Sequence, residues 1–157
     1  MTNLISDAFI QAKELVMKAM GELVADGTFP AEPVPAFNTE IPADSKNGDV
    51  STNAAMVCAR PFRNNPRKIA EAIVSKIDLN GSYFARCEVA GPGFINFFYS
   101  PEWYATVVAA VLEQKEKYGE TDLGTGKSVL VEFVSANPTG PMHIGNARGG
   151  AIGDCLA

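Results

Sequence analysis

The chain has 157 residues and a net charge of −5, with 46% hydrophobic and 20% charged residues. A chain of this length and balance can bury a sizeable core. No apolar run approaches the roughly 20 residues that span a bilayer, and the N-terminus lacks the basic segment of a signal peptide, so we expect no membrane partner. Three widely spaced cysteines without a Cys-x-x-Cys pair argue against a disulfide framework or a zinc site, and for a reducing, cytoplasmic location.

Charge is distributed unevenly along the chain. Residues 7–49 carry eight acidic and three basic side chains, whereas residues 60–76 carry five basic and one acidic. The net negative charge argues weakly against nucleic acid as a partner. A basic patch inside an acidic chain nevertheless allows local binding of a polyanion, while the rest of the surface resists non-specific binding.

Hydrophobic periodicity predicts a first amphipathic helix over residues 4–24. Several prolines follow, so any strand within residues 34–41 is expected to be short. Residues 51–61 predict a short helix that a proline closes. Residues 65–77 predict a longer helix that Asn65 caps, with a proline at its first position.

Two alternating segments, 82–90 and 94–100, flank a Gly-Pro-Gly turn and predict a β-hairpin. A third long helix is predicted to start at Pro101. Its buried face is expected to hold Trp103, Val107, Val108, Val111 and Leu112.

A polar, glycine-rich linker over 118–128 leads to an apolar run at 129–134, which is typical of a buried parallel strand. The sequence therefore predicts an α+β domain over 1–118, with a small antiparallel sheet covered by helices. Residues 119–157 would then form a linker and the opening strand, turn and helix of a second domain.

The stretch "SANPTGPMHIGNARGG", residues 135–150, contains the only histidine in the chain. It lies between the predicted strand and a helix expected to start near Ile144. Free N–H groups and the dipole at a helix N-terminus attract phosphate. His143 is placed to donate to a phosphate oxygen and to stabilise charge as a triphosphate loses pyrophosphate. Gly145 would let a flat base approach the backbone. On residue types alone, a packing role for this histidine remains open.

The segment "NPTGPMHIGN" closely resembles the His-Ile-Gly-His signature of class I aminoacyl-tRNA synthetases. The wider string "VEFVSANPTGPMHIGNARGGAIGD" resembles arginyl-tRNA synthetase specifically. Upstream, "GDVSTNAAM", "NPRKIAEAI" and "VAGPGFINFF" resemble the extra N-terminal domain of that family. The resemblance implies an arginine–tRNA ligase whose partners are ATP, arginine and tRNA(Arg). It also implies Mg²⁺ accompanying ATP, no protein-bound metal site, and a monomeric full-length enzyme.

The resemblance implies a set of site residues in the turn, which would begin a Rossmann-like catalytic domain. The implied catalytic residues are His143 and Asn146, and the implied ATP-binding residues are Pro138, His143, Gly145 and Asn146. The implied arginine-binding residues are Glu132, Ser135, Asn137 and His143. Asn146 departs from the signature, whose last position is His, so any help it gives in the transition state would come from a neutral donor. Without the resemblance, Glu132 is unusual inside an apolar strand, and the alternative is an edge-strand residue that faces solvent.

Strand alternation in "GFINFF" places Phe94, Asn96 and Phe98 on one face and Ile95, Phe97 and Tyr99 on the other. An aromatic ring can stack on an unpaired base while a neighbouring amide hydrogen-bonds the edge of that base. The resemblance implies that Phe94 and Asn96 contact a D-loop base at the tRNA elbow. Nearby candidates for phosphate contacts are Arg60, Arg63, Arg67 and Lys68. The alternatives are rings packed under loops and a solvated helix face.

No second ATP signature, Lys-Met-Ser-Lys-Ser in this class, occurs in the chain. We therefore expect a truncated, catalytically incomplete chain in which residues 119–157 are poorly ordered or ordered only by another chain. A free-standing RNA-binding module is a rival interpretation, against which the ATP-type turn counts. A stand-alone nucleotidyltransferase is another, disfavoured because 119–157 is too short for a nucleotide-binding fold.

Overall fold

A computed structural model of the chain describes residues 4–120, 122, 124–137 and 139–157. Its contacts divide the chain into two compact units, Met1–Tyr118 and Gly119–Ala157, called here the first unit and the second unit. Among the described residues, no helix is both long enough and apolar enough to span a membrane.

The first unit combines helices with one small antiparallel sheet, which confirms the predicted α+β class. In chain order its elements are α1 (Leu4–Ala25), β1 (Thr39–Glu40), β2 (Val50–Thr52), α2 (Ala54–Cys58), α3 (Pro66–Lys76), β3 (Phe84–Ala90), β4 (Phe94–Tyr99) and α4 (Pro101–Gln114). The strand order is β1-β2-β4-β3, and each neighbouring pair is antiparallel. Strand β4 of the β3–β4 hairpin therefore also pairs with β2.

Local sequence signals set the start of α3. The side-chain oxygen of Asn65 accepts a hydrogen bond from the Arg67 backbone N–H at 2.9 Å, and Pro66 occupies the first turn. These features satisfy one free N–H and preset the backbone for a helix. Burial of Ile69 and Ile73 then fixes the helix against the rest of the core.

The core lies on one face of the sheet. Val50, Ile95 and Phe97 are completely buried on that face, and helices α1, α2 and α3 pack over them. The ring of Phe97 lies 4.9 Å from that of Phe84, centroid to centroid. Burial of each large apolar side chain stabilises the folded state by roughly 1.5 to 3 kcal/mol relative to leaving it exposed. The opposite face of the sheet is called here the outer face.

Two expectations about the first unit are wrong. Residues 50–52, of which 51 and 52 were assigned to a helix, form strand β2, and the following helix is only Ala54–Cys58. The pairing of β2 with β4 decides this conformation. The predicted buried face of α4 also fails, because Trp103 alone is buried while Val108 and Leu112 are 58% and 69% exposed.

The second unit contains α5 (Ile144–Leu156), which begins where the sequence predicts. The predicted strand over 129–134 is wrong, since no described residue of 124–137 belongs to a strand. A strand needs a partner for its backbone N–H and C=O groups, and the described part of this unit offers none. Val134 moreover has φ +60°, in the left-handed region.

Helix α5 instead approaches segment 129–134 closely at two of its glycines. A Cβ built on Gly153 would collide with the Cβ and Cγ atoms of Phe133. A Cβ on Gly150 would lie 3.1 Å from a methyl carbon of Val134. Gly150 and Gly153 therefore allow close packing of α5 against Phe133 and Val134.

Candidate functional site

The outer face of the sheet carries a transverse row of polar residues. Strand register places Glu40 opposite Ser51, Ser51 opposite Asn96, and Asn96 opposite Glu88. Along β4 this row is flanked by Phe94. The four strands thus bring together residues that are far apart in sequence, and the alternation of β4 places Phe94 and Asn96 on one face.

Asn96 is far more buried than a base-reading residue on an open face would be. Only 2% of it is exposed, and its Oδ1 accepts a hydrogen bond of 2.7 Å from the Ser51 hydroxyl. Among the described residues its amide nitrogen Nδ2 has no hydrogen-bond partner, and that atom is not sealed inside the protein. A buried amide with one satisfied and one unsatisfied end is suited to a ligand that supplies the missing acceptor.

Asn96 faces a cleft of about 320 Å³, which Phe94, Ser51, Glu40 and Gly91 also line. That volume lies at the lower end of the roughly 300 to 1,000 Å³ typical of small-ligand sites. The cleft combines a half-exposed aromatic ring with an amide donor. A flat heterocycle that stacks on the ring would place its edge against the amide.

Arg67 lies at the rim of this cleft. Its Nη1 donates to the carbonyl oxygen of Gly91 at 3.1 Å, and its Nε lies 3.1 Å from Glu71 Oε1. The hairpin turn also touches the start of α3, because a Cβ on Gly93 (φ +137°) would lie 2.9 Å from the Pro66 carbonyl carbon. The Arg67 guanidinium is therefore held between the Gly91 carbonyl, at the hairpin turn, and the Glu71 carboxylate of its own helix.

The other predicted phosphate contacts are less tightly placed. Arg60, Arg63 and Lys68 are exposed, and none of the three forms an ion pair with a described residue. Arg86, which the sequence did not single out, stacks on the outer face, with its guanidinium carbon 3.3 Å from the centroid of the Phe98 ring. Ser51 was also missed, because its role depends on the pairing of β2.

A second candidate site lies at the start of α5. His143 Nδ1 accepts a hydrogen bond from the Gly145 N–H at 3.1 Å, and Asn146 Oδ1 accepts one from the His143 N–H at 3.1 Å. Because Nδ1 is an acceptor, the neutral imidazole carries its proton on Nε2. Among the described residues Nε2 has no partner, so it is free to donate to a ligand.

Gly145 serves this arrangement by lacking a side chain. A Cβ at that position would lie 2.9 Å from His143 Cε1 and 3.0 Å from Nδ1. The imidazole therefore lies across the first turn of the helix. The histidine ring thus lies directly beside the position that a side chain of residue 145 would occupy.

A cleft of about 330 Å³ gathers Ser135, Asn137, His143 and Asn146. Four of the predicted residues of the turn therefore meet in one place, at a helix N-terminus. Glu132 is exposed and does not line this cleft. The predicted ATP-binding residue Pro138 lies outside the described residues.

Within the described ranges, no group of three or more His, Cys, Asp or Glu side chains is placed to hold a metal ion. Burial raises the pKa of the Cys58 thiol to about 11, and burial together with Glu88 raises that of Cys87 to about 11. Thiols of that kind are poor nucleophiles at neutral pH. Neither of these two thiols is therefore suited to nucleophilic chemistry.

Comparison with known proteins agrees with the resemblance. The chain is 47% identical to the arginine–tRNA ligase of Acetivibrio thermocellus over all 157 residues, which is 28% of that protein. It is 46% identical to that of Geobacillus thermodenitrificans over 155 residues, or 99% of this chain and 27% of that protein. The chain thus spans little more than a quarter of the length of these curated relatives.

A crystal structure of arginyl-tRNA synthetase from Plasmodium falciparum matches with a TM-score of 0.55 and 23% identity. That match covers 94% of this chain and 27% of the other, and it supports the fold alone. The sequence model described as "Arginyl tRNA synthetase N terminal domain" matches residues 5–99. Since these residues make up more than half of the chain, the chain belongs to the arginyl-tRNA synthetase N-terminal domain family.

Proposed function

We propose that the chain is part of an arginine–tRNA ligase, which converts ATP, arginine and tRNA(Arg) into arginyl-tRNA, AMP and pyrophosphate. The first unit binds the tRNA elbow, and the second supplies the first ATP signature. Mg²⁺ enters with ATP as part of the substrate. The full-length enzyme works as a monomer in the cytoplasm, without a membrane partner.

The observation that carries this proposal is the cleft where Ser135, Asn137, His143 and Asn146 converge on the start of α5. In the activation step the arginine carboxylate attacks the α-phosphorus of ATP, forming arginyl-adenylate, and pyrophosphate leaves. His143 Nε2–H and the N-terminus of α5 stabilise the growing negative charge. Asn146 adds a neutral donor through its amide nitrogen.

Ser135 and Asn137 line the same cleft and orient the arginine substrate through hydrogen bonds. Glu132 lies outside that cleft. It reaches the substrate's ammonium or guanidinium group only if segment 129–134 takes a different conformation in the full-length protein. A carboxylate in that position would form a charge-assisted pair with the substrate.

In the first unit, Phe94 stacks on a D-loop base and the Asn96 amide binds its edge. Both residues line one cleft, and the Arg67 guanidinium is held at its rim. Arg67 contacts a tRNA phosphate there, and the exposed Arg60, Arg63 and Lys68 add phosphate contacts along the same basic segment.

Arginine-dependent ATP–pyrophosphate exchange, assayed with tRNA present, tests the catalytic part. The full-length protein should catalyse exchange, and the 157-residue chain alone should not. His143→Ala should lower the rate by roughly 10² to 10³, the cost of removing one transition-state donor. Ile152→Ala, a truncation at a half-exposed position of the same helix, is the matched control and should have little effect. Exchange by the 157-residue chain, or full activity in His143→Ala, would overturn the assignment.

Binding of tRNA(Arg) to the full-length protein tests the elbow site. Phe94→Ala should weaken binding about tenfold, since stacking contributes roughly 1 to 3 kcal/mol per base. Binding of ATP and arginine should not change. Arg67→Ala should weaken native and base-substituted tRNA alike and reduce the salt dependence, as expected of a phosphate contact. If Phe94→Ala leaves tRNA affinity intact and only lowers the melting temperature, Phe94 is a packing residue.

A further inference from the structure

We propose that Arg86 is a phosphate contact for the bound tRNA, and that the ring of Phe98 is the positioning group that holds its guanidinium for this contact. The inference rests on the proposed function of the elbow site. It adds a cation on the edge strand β3, outside the basic segment that supplies the phosphate contacts of that proposal.

A β-bulge turns Arg86 towards the outer face of the sheet. In the ladder with β4, Phe84 is opposite Tyr99. Arg86 is opposite Phe98, so β3 advances two residues where β4 advances one. Phe84 is buried in the core, and strict alternation from it would turn residue 86 inwards as well. The extra residue, Ala85, reverses that alternation and places Arg86 on the same face as Phe98.

The guanidinium of Arg86 is held by the ring on which it lies. Its central carbon is 3.3 Å from the centroid of the Phe98 ring, within the range where a cation is attracted to the face of an aromatic ring. Arg86 is nonetheless exposed, and its guanidinium forms neither an ion pair nor a hydrogen bond with a described residue. Its N–H donors are therefore available to a ligand, and two of them match two oxygens of a phosphate group.

Arg86 and Arg67 lie on opposite sides of the cleft that Phe94 lines. Arg67 is held to the backbone of the hairpin turn. Phe98, beneath Arg86, lies four residues farther along β4, or about 13 Å from Phe94 at the usual rise per residue. Between the two cations, Glu88 is exposed on the outer face and repels a phosphate placed there. An RNA strand whose base is stacked on Phe94 therefore has a cation for its phosphates on each side of that base.

Binding of tRNA(Arg) to the full-length protein, measured at several salt concentrations, tests this assignment. Arg86→Ala should weaken binding about fivefold to tenfold at low salt, and should reduce the steepness of log affinity against log salt by about 1. Arg86→Lys keeps the charge, so it should retain the salt dependence with a smaller loss of affinity. Lys18→Ala removes an exposed cation from α1, which packs on the core side of the sheet. It is the matched control and should change neither quantity.

Phe98→Leu tests the positioning role of the ring. It keeps an apolar side chain but removes the aromatic face, so the guanidinium is no longer held and tRNA binding should weaken about threefold. In the Arg86→Ala background the same change should have no further effect, because the two residues act as a unit. If the two losses add, Phe98 contacts the RNA by itself and the inference is wrong. It is equally wrong if Arg86→Ala tightens binding, because the guanidinium then only blocks the ring.

Melting temperatures and the other variants of the elbow site separate the remaining outcomes. A lower melting temperature in Arg86→Ala with unchanged tRNA affinity would show that the stacked pair is only structural. If Phe94→Ala and Arg67→Ala weaken binding and Arg86→Ala does not, this inference alone fails. If none of the three variants alters tRNA binding, the proposed elbow site itself is wrong.

Discussion

The strand β4 and the segment 129–134 have similar apolar sequences, FINFFY and VLVEFV, but only the first forms a strand. β4 pairs with β2 on one side and β3 on the other, and its Ile95 and Phe97 are completely buried. In 129–134 the side chain of Leu130 is 93% exposed. An apolar run is therefore only a potential strand, and neighbouring backbone decides whether it forms.

The same contrast holds for the two units as wholes. The first unit closes a core of its own around the sheet and three helices. Among the described residues of the second unit, Gly153 is the only buried one. The stability of the first unit should therefore depend on packing within its own core, whereas the second unit has few buried side chains whose removal could destabilise it.

Matched isoleucine truncations should give the largest difference between the units. Ile69→Ala, at a completely buried position of α3, should destabilise the first unit by about 2 to 5 kcal/mol. Ile144→Ala, at a position of α5 that is 87% exposed, should change stability by less than about 0.5 kcal/mol. Urea unfolding followed by fluorescence of Trp103, the chain's one tryptophan, reports on the first unit.

Hydrogen exchange of α5 amides should accompany that measurement, because Trp103 does not lie in the second unit. A comparable loss of stability in both variants would show that the second unit has a core of its own.

Two glycines of α5 should respond in opposite directions to the same change. Gly149→Ala meets no atom within 4 Å and should stabilise the helix by up to about 1 kcal/mol. Gly153→Ala adds the same methyl group but collides with Phe133, so it should displace segment 129–137 from the helix. Far-UV circular dichroism reports the helix, and hydrogen exchange of 129–137 reports the contact. Equal behaviour of the two variants would mean that the contact with Phe133 does not hold the segment.

The smallest effect should come from a surface ion pair of the first unit. Asp26 accepts hydrogen bonds from Thr28 and lies 2.9 Å from the Lys76 ammonium, and these partners lower the pKa of its carboxyl to about 2. Because the folded-state pKa is depressed, the stabilisation is complete above the ordinary value near 3.8 and is lost as the pH falls through about 2.

Asp26→Asn should therefore be slightly less stable than the wild type at pH 6, and the two should converge as the pH approaches 2. Thermal unfolding at a series of pH values measures this. A constant difference between the two proteins across the series would exclude the carboxylate as its cause.

Local signals were sufficient to predict some elements. Asn65 and Pro66 mark the start of α3 whatever the rest of the chain does, and the turn at Gly93 fixes the hairpin. The family and the α+β class were correct for the same reason, because their motifs are short and contiguous. The start of helix α5 near Ile144 was also predicted correctly, whereas the role of His143 as its cap is seen only in the structure.

Non-local contacts account for what was missed. Ser51 and Asn96 are 45 positions apart, so neither the pairing of β2 nor the burial of Asn96 is visible in the local pattern. The apolar patterns of α4 and of 129–134 predict burial, but both segments have exposed apolar residues. A sequence pattern does not show whether another element is present to pack against it. Positions of Phe94 and Asn96 on one face followed from alternation alone. The cleft that the two residues share could not be predicted in this way, because Glu40 of β1 and Gly91 of the hairpin turn also line it.

In the proposed contact with tRNA, the stacking of Arg86 on Phe98 limits how many bases the outer face can stack on. Two aromatic rings on an open sheet commonly provide two stacking positions for nucleic acid. Here the Arg86 guanidinium, 3.3 Å from the Phe98 centroid, already occupies one of them. Phe94 is left as the other ring of β4 on that face. In the proposed contact with tRNA, a surface with one free ring would respond to the position of a single base, and so to the folded shape of the RNA rather than to a run of its sequence.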